Sequence, residues 1–214
     1  MSVPFYKFVY RLGFTPWERL ATLPASKQIL DLFDSVERGR QPPFGSALEL
    51  GCGNGSWSVR LAARGWSVTG VDIVPKAVRT AHERAREAGQ DVHFIHGDVA
   101  ALRTANVGSG FQLVLDMGTV HGLTPPQREA VGRDVNAVSA ADATLLMYAF
   151  APARRGPLPR GMSWSDIEAT YQGWTIVDEI AFDMTGMPDS VKKDDPRWYR
   201  LSRNEPSSDG VGLD

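Results

Sequence analysis

Apolar and polar positions along this chain follow two periods. Ile29, Leu30, Leu32, Phe33 and Val36 form one stripe at helical spacing, which predicts a helix over about 25–38. Pro42-Pro43 stops it. From Ser46 onward, short apolar runs alternate with helical patterns. Strands are predicted at 47–50, 66–71, 92–95, 111–115 and 144–150, and helices at 56–64, 75–88, 126–140 and 163–171. Gly65 closes the first of these helices, and the second has Pro75 in its first turn and stops at Gly89. Ser163 and Asp166 form a near relative of the capping box. Two last strands, 174–182 and 198–201, have no long helix between them, so an antiparallel pair is expected there. Strands alternating with helices imply an α/β fold, a doubly wound sheet with helices on both faces. In such sheets ligands bind beyond the carboxyl ends of the strands, so chemistry is sought just after strands one to five.

Composition adds exclusions. The length of 214 residues fits one domain with a terminal extension, and 43% apolar against 22% charged residues marks a globular chain. A net charge of −2 supplies no overall pull toward a polyphosphate, so no nucleic-acid partner is expected, although a local basic patch stays open. The single cysteine, Cys52, cannot form an internal disulfide, so folding needs no oxidising compartment. The longest uninterrupted apolar run, 145–151, is far too short to span a bilayer. Pro4, Lys7, Arg11 and Gly13 interrupt any apolar core of a signal peptide. The expectation is a cytoplasmic protein without a membrane partner. Six aromatic side chains fall in the first 17 residues, Phe5, Tyr6, Phe8, Tyr10, Phe14 and Trp17, a load that a solvated tail rarely carries.

The chemistry centres on the end of the first strand, Glu49-Leu50-Gly51-Cys52-Gly53-Asn54-Gly55-Ser56. Glycines at 51, 53 and 55 allow a tight turn and close approach to a ligand, and the following helix aims its free N–H groups at the same place. The dinucleotide pattern would put glycine at the sixth position, which here is Ser56. Glu49-x-Gly51-x-Gly53-x-Gly55 instead resembles the first motif of class I S-adenosylmethionine-dependent methyltransferases. The likeness extends to Gly70-Val71-Asp72-Ile73, His96-Gly97-Asp98-Val99 and Leu115-Asp116-Met117-Gly118. It implies a Rossmann-like seven-stranded sheet of order 3-2-1-4-5-7-6 over 41–204, an N-terminal helical cover over 1–40 and a flexible tail over 205–214. It also implies S-adenosylmethionine as cofactor, with S-adenosylhomocysteine as product. Asp72 would meet the ribose hydroxyls, Ile73 would adjoin it, Asp98 would meet the adenine amine and Val99 pack on its ring. Asp116 and Met117 would face the methionine moiety. Glu49 would hold the loop or meet the ligand amine. Gly51, Cys52, Gly53 and Gly55 would form the cradle. Asp72 and Asp98 also read as plain helix-start carboxylates, and Cys52 as a small packing residue.

An activated sulfonium leaves the protein mainly to align the acceptor and exclude water, and a base is needed only where the acceptor must lose a proton. His121, near the sheet's carboxyl edge, is the candidate base, with Asp116 beside it; a packing or capping role for His121 competes. His82, His93 and His96 are placed less well, and no spacing indicates a metal. The segment after strand four lacks the Asn/Asp-Pro-Pro-aromatic run of DNA amino-methyltransferases. Gly13-Phe14-Thr15-Pro16-Trp17-Glu18 is similar to the entrance segment of small-molecule heteroatom methyltransferases, including the thiopurine S-methyltransferase group and mycobacterial enzymes acting on heterocyclic toxins. The expected acceptor is therefore a small aromatic, heterocyclic or apolar molecule, methylated on O, N or S by a monomer or homodimer. Tyr6, Tyr10, Phe14 and Trp17 would form a lid over it, or pack permanently on the sheet or at a dimer contact. The loop carrying Arg154, Arg155 and Arg160 would attract an anionic acceptor or simply be solvated. A non-catalytic S-adenosylmethionine-binding module and a nicotinamide-dependent oxidoreductase are the competing classes.

Overall fold

The structure, a computed structural model, describes residues 25–153, 160–185 and 194–203. Helix α1 is Ala25–Glu37, followed by β1 (Gly45–Leu50), α2 (Ser56–Arg64), β2 (Trp66–Asp72), α3 (Pro75–Glu87) and β3 (Val92–His96). Then come β4 (Phe111–Asp116), α4 (Pro125–Val138), β5 (Ser139–Ala149), α5 (Trp164–Thr170), β6 (Trp174–Ala181) and β7 (Arg197–Arg203). Two short 3-10 turns, Val99–Ala101 and Val120–Gly122, interrupt the connections after β3 and β4.

All seven strands form one sheet of order β3-β2-β1-β4-β5-β7-β6. The first five strands are parallel, and β7 runs antiparallel to both β5 and β6. The expected antiparallel edge is therefore present, with β7 inserted between β5 and β6. Strand β5 starts five residues before its apolar run, because Ser139 still pairs with Phe111 across a register shift.

Period-two alternation splits the buried residues between two faces. One face carries Ala47, Leu113, Leu115, Leu146, Tyr148 and Trp198 against Ile29 and Phe33 of α1 and Leu61 of α2. The other carries Leu48, Leu50, Val114, Leu145, Met147 and Leu201 against Val131 and Val135 of α4 and Ile167 of α5. Fully burying one such side chain contributes about 1.5–3 kcal/mol. Helix α1 is held by more than its apolar stripe. Buried Glu37 accepts from Trp66 Nε1 at 2.8 Å and from Arg64 Nε at 2.9 Å. At its other end, Gln28 donates to Ala181 O at 2.7 Å and accepts from the Asp183 N–H at 3.0 Å. Among the described residues, no helix is long and apolar enough to cross a membrane.

Candidate active site

Strand β1 has β2 on one side and β4 on the other, so the strand order reverses at its carboxyl end, the position where ligands bind in open α/β sheets. The loop that fills this position is possible only with glycine. Gly51 and Gly55 have φ of 68° and 75°, in the left-handed region. A Cβ on Gly51 would collide with the Thr119 hydroxyl from the loop after β4. A Cβ on Gly55 would lie 2.7 Å from Phe94 Cζ and 2.9 Å from Ala81 Cβ. The loop thus touches the β4 loop on one flank and α3 with β3 on the other. Gly53 contributes its amide, as follows.

Four carboxyl groups lie at or just after the carboxyl ends of β1 to β4. Asp72 ends β2, where its Oδ2 accepts from the Gly53 N–H at 2.9 Å and its Oδ1 from the Val74 N–H at 2.8 Å. It therefore ties the loop to β2 and steadies Val74, the residue that starts α3. A carboxylate can accept about four hydrogen bonds, so these two do not by themselves exhaust it. Glu49 is buried beneath the loop and accepts from Ser58 Oγ of α2. Burial pushes its pKa up to about 8, with the nearby Asp72 and Asp116 adding and Ser58 opposing. Asp98 is half-buried after β3 and accepts from the Ala100 N–H at 2.9 Å, capping the first 3-10 turn. Val99 of that turn is buried in the core with Leu102, and Ile73, half-buried, places its carbonyl 3.3 Å from His96 Nε2.

Asp116, fully buried at the end of β4, accepts from the Thr119 N–H at 2.6 Å and the Val120 N–H at 3.2 Å. Burial raises its pKa to about 7, against the pull of these amides and of Arg128. It folds Met117, Gly118 and Thr119 into a tight loop that launches the second 3-10 turn and presents His121. The His121 ring is 2% exposed and stacks on Phe150, with centroids 5.0 Å apart and planes 20° from parallel. Its Nδ1 accepts from the Phe150 N–H at 3.0 Å. Its carbonyl accepts from Arg128 Nη2 of α4 at 2.8 Å, and the same nitrogen donates to Gly161 O at 2.7 Å. Burial lowers the pKa of the Arg128 guanidinium, with Asp166 opposing.

The structure brings Glu49, Gly51, Gly53, Gly55, Asp72 and Asp116 together at this edge of the sheet. Of the two readings of Cys52, the structure displays packing. Its N–H bonds Val71 O at 3.0 Å, its carbonyl accepts from Gly55 N at 2.9 Å, and its thiol is buried against Gly70. It shapes the cradle from the core side. Tyr6, Tyr10, Phe14 and Trp17, and also Arg154 and Arg155, lie outside the described residues; Arg160 is exposed.

Sequence reading missed an aromatic wall beside His121. Tyr148 meets Phe150, Phe182 and Trp198 edge-on at 5.6, 5.1 and 5.7 Å. Met117 and Met184 are half-buried against the core of the same sheet face. The signal was present, because residues 148 and 150 share a face by strand periodicity. It also missed Arg128, which joins the His121 turn to Gly161, because nothing in a surface-like helix pattern marks a buried arginine.

The donor set suits a particular ligand class. Asp72, tied to the Gly53 amide at the end of β2, has the acceptor chemistry that ribose hydroxyls need, and the carboxyl groups of Glu49 and Asp116 lie at the ends of the two neighbouring strands. The seven-stranded sheet of order 3-2-1-4-5-7-6 with flanking helices is the fold of the class I methyltransferases. Residues 47–142 match the family described as a methyltransferase domain. A ubiquinone biosynthesis O-methyltransferase of Caulobacter vibrioides is 32% identical over 101 residues, 47% of this chain and 40% of the relative. The chain thus spans well under two thirds of that relative's length. A 2-heptyl-1-hydroxyquinolin-4(1H)-one methyltransferase of Mycobacteroides abscessus is 27% identical over 158 residues, 71% of this chain and 66% of the relative. Among solved structures, the 1,6-didemethyltoxoflavin-N1-methyltransferase of Burkholderia thailandensis superposes with a TM-score of 0.69 at 19% identity, covering 94% of this chain and 87% of that one.

Proposed function

We propose that this protein transfers a methyl group from S-adenosylmethionine to an O, N or S atom of a small aromatic or heterocyclic acceptor. The observation that carries the reading is the glycine loop tied by Asp72 at the reversal point of this sheet, with carboxyl groups at the ends of the neighbouring strands. The names of the quinolone and toxoflavin relatives support a heterocyclic acceptor. When bound, the cofactor supplies a methyl group already activated on a sulfonium. Asp72 holds the ribose hydroxyls, with Ile73 adjoining, and Asp98 and Val99 bracket the adenine. Glu49, Asp116 and Met117 face the methionine part, and the glycines bring backbone close to it. Tyr148, Phe150 and Met117 give the acceptor an apolar surface and keep water away, which sharpens alignment of the reacting atoms.

Residues 5–17, which lie outside the described residues, would serve as a lid on the strength of their aromatic content alone. A cytoplasmic enzyme, monomeric or dimeric, that binds neither membrane nor nucleic acid accords with the charge and apolar pattern. The primary test pairs calorimetry with S-adenosylhomocysteine and a screen of acceptors using methyl-labelled S-adenosylmethionine. Binding and labelled product from a heterocyclic acceptor are expected; a folded protein that does not bind S-adenosylhomocysteine refutes the reading. Deleting residues 1–17 should leave cofactor binding intact and lower turnover. Full activity in the truncated protein would remove the lid.

A further inference from the structure

His121 looked from the sequence like a base, and its surroundings argue for a different office. An imidazole nitrogen that accepts a hydrogen bond carries no proton, so the Phe150 N–H at 3.0 Å from Nδ1 fixes the neutral ring as the Nε2–H tautomer. Stacking on Phe150 and near-complete burial hold the ring in that orientation. Its Nε2 edge points toward the β4 loop, since a Cβ built on Gly118 would stand 3.4 Å from it. The ring therefore bridges the ends of β4 and β5, with its Nδ1 lone pair spent on the amide just past β5 and its Nε2–H beside Gly118 of the β4 loop. A base needs the opposite arrangement, a lone pair on the reacting side.

The titratable groups packed around this turn do not fill the gap. Asp116 of β4 has its carboxylate turned to the Thr119 and Val120 amides. Arg128 of α4 is a cation bonded to the His121 and Gly161 carbonyls, paired loosely with Asp166 at 3.9 Å. Tyr148 of β5 packs against the His121 ring, and a phenol is a poor proton acceptor near neutrality. Glu49 lies below the loop, engaged by Ser58. At this edge Asp116 is thus aimed at its own loop amides, Glu49 at Ser58 and His121 Nδ1 at the Phe150 amide.

Resting on the methyl-transfer reading above, we propose that His121 is a tautomer-locked positioning residue and not a proton abstractor, and that the enzyme takes acceptors whose heteroatom is already nucleophilic near neutral pH. Such acceptors are acidic N-hydroxy or oxo heterocycles, thiolates, or ring nitrogens with a lone pair. In the step, the acceptor's lone pair forms the new bond to the methyl carbon as the carbon–sulfur bond breaks and its electrons return to sulfur. No proton passes to His121.

Two measurements test this. The first is independent of turnover: nitrogen-15 NMR of the histidine rings at neutral pH, with S-adenosylhomocysteine bound and the His121 signal assigned by its loss in His121→Asn. An unprotonated Nδ1 beside a protonated Nε2 is expected; the reverse tautomer overturns the proposal. That arm decides even if no acceptor is found, an outcome that would count against the methyl-transfer reading instead. The second compares kcat/KM across pH for two acceptors of different acidity, such as 2-heptyl-1-hydroxyquinolin-4(1H)-one and a less acidic phenol. The rising limb should shift with the acceptor's own pKa and keep its position in His121→Asn, whose side-chain oxygen can still receive the Phe150 N–H. A limb common to both acceptors and abolished by His121→Asn would establish a base and overturn the proposal. Should that variant fail to fold, the wild-type comparison of the two acceptors still decides.

Discussion

Asp72 serves the fold, and under the proposed function the same side chain would serve the ligand. Its carboxylate already receives the Gly53 and Val74 amides, so the loop is in place before any ligand arrives. Replacing Asp72 with alanine should weaken S-adenosylhomocysteine binding by about 1.5–3 kcal/mol, the scale of lost charge-assisted hydrogen bonds. That is roughly ten- to 150-fold in Kd by calorimetry. Asp72→Asn separates the two duties. Its Oδ1 can still accept one backbone amide, so the loop should stay largely ordered while ribose recognition suffers. Equal affinity in wild type and both variants would take Asp72 out of the binding site. The sequence marked this residue by its place at the end of the second strand. It did not disclose the bond to Gly53, because that contact joins residues 19 positions apart.

At the scale of elements, the glycine loop and the β4 loop form one unit. Gly51 faces Thr119 so closely that any side chain at 51 meets the threonine hydroxyl, and its φ of 68° opposes a Cβ independently. Gly51→Ala should therefore abolish most of the thermal shift produced by S-adenosylhomocysteine. Combining it with Thr119→Gly removes the collision and leaves only the left-handed backbone cost of roughly 1–2 kcal/mol. The double variant is accordingly expected to recover part of the shift, a coupling readable in a double-mutant cycle. Strict additivity would mean that the two loops do not touch. This junction also shows where sequence reading stops. The strands, the helices and the glycine run were visible as periodicity and punctuation, since each depends on neighbours a few positions away. The two 3-10 turns, the Gln28 bonds to β6 and the Arg128 bonds to Gly161 depend on pairings across the sheet. The ring of His121 was legible as chemistry, but its tautomer is set by a strand amide 29 residues on.

For the whole molecule, the buried carboxyl groups couple stability to pH and to the cofactor. Glu49 and Asp116 have pKa values raised to about 8 and about 7 by burial, against unfolded values of roughly 4.3 and 3.9. Between those limits the folded chain holds protons that the unfolded chain has released. Stability therefore falls as pH rises from about 4 to about 8, by at most about 1.4 kcal/mol per pH unit for each group. Asp166 acts in the other direction, since hydrogen bonds from Ser163 and the charge of Arg128 lower its pKa, but that contribution is lost only below about pH 4. The protein alone should then be most stable on the acid side of neutrality, and Glu49→Gln, which keeps an oxygen for Ser58, should flatten the decline. Urea midpoints at pH 5, 6, 7 and 8 measure both. The cofactor product resolves the two duties left open for Glu49. If Glu49 meets the ligand ammonium, binding favours its ionised form, and S-adenosylhomocysteine should stabilise the protein more at pH 8 than at pH 6. In Glu49→Gln that difference should shrink. If Glu49 only holds the loop from below, the stabilisation should change no more with pH in wild type than in the variant.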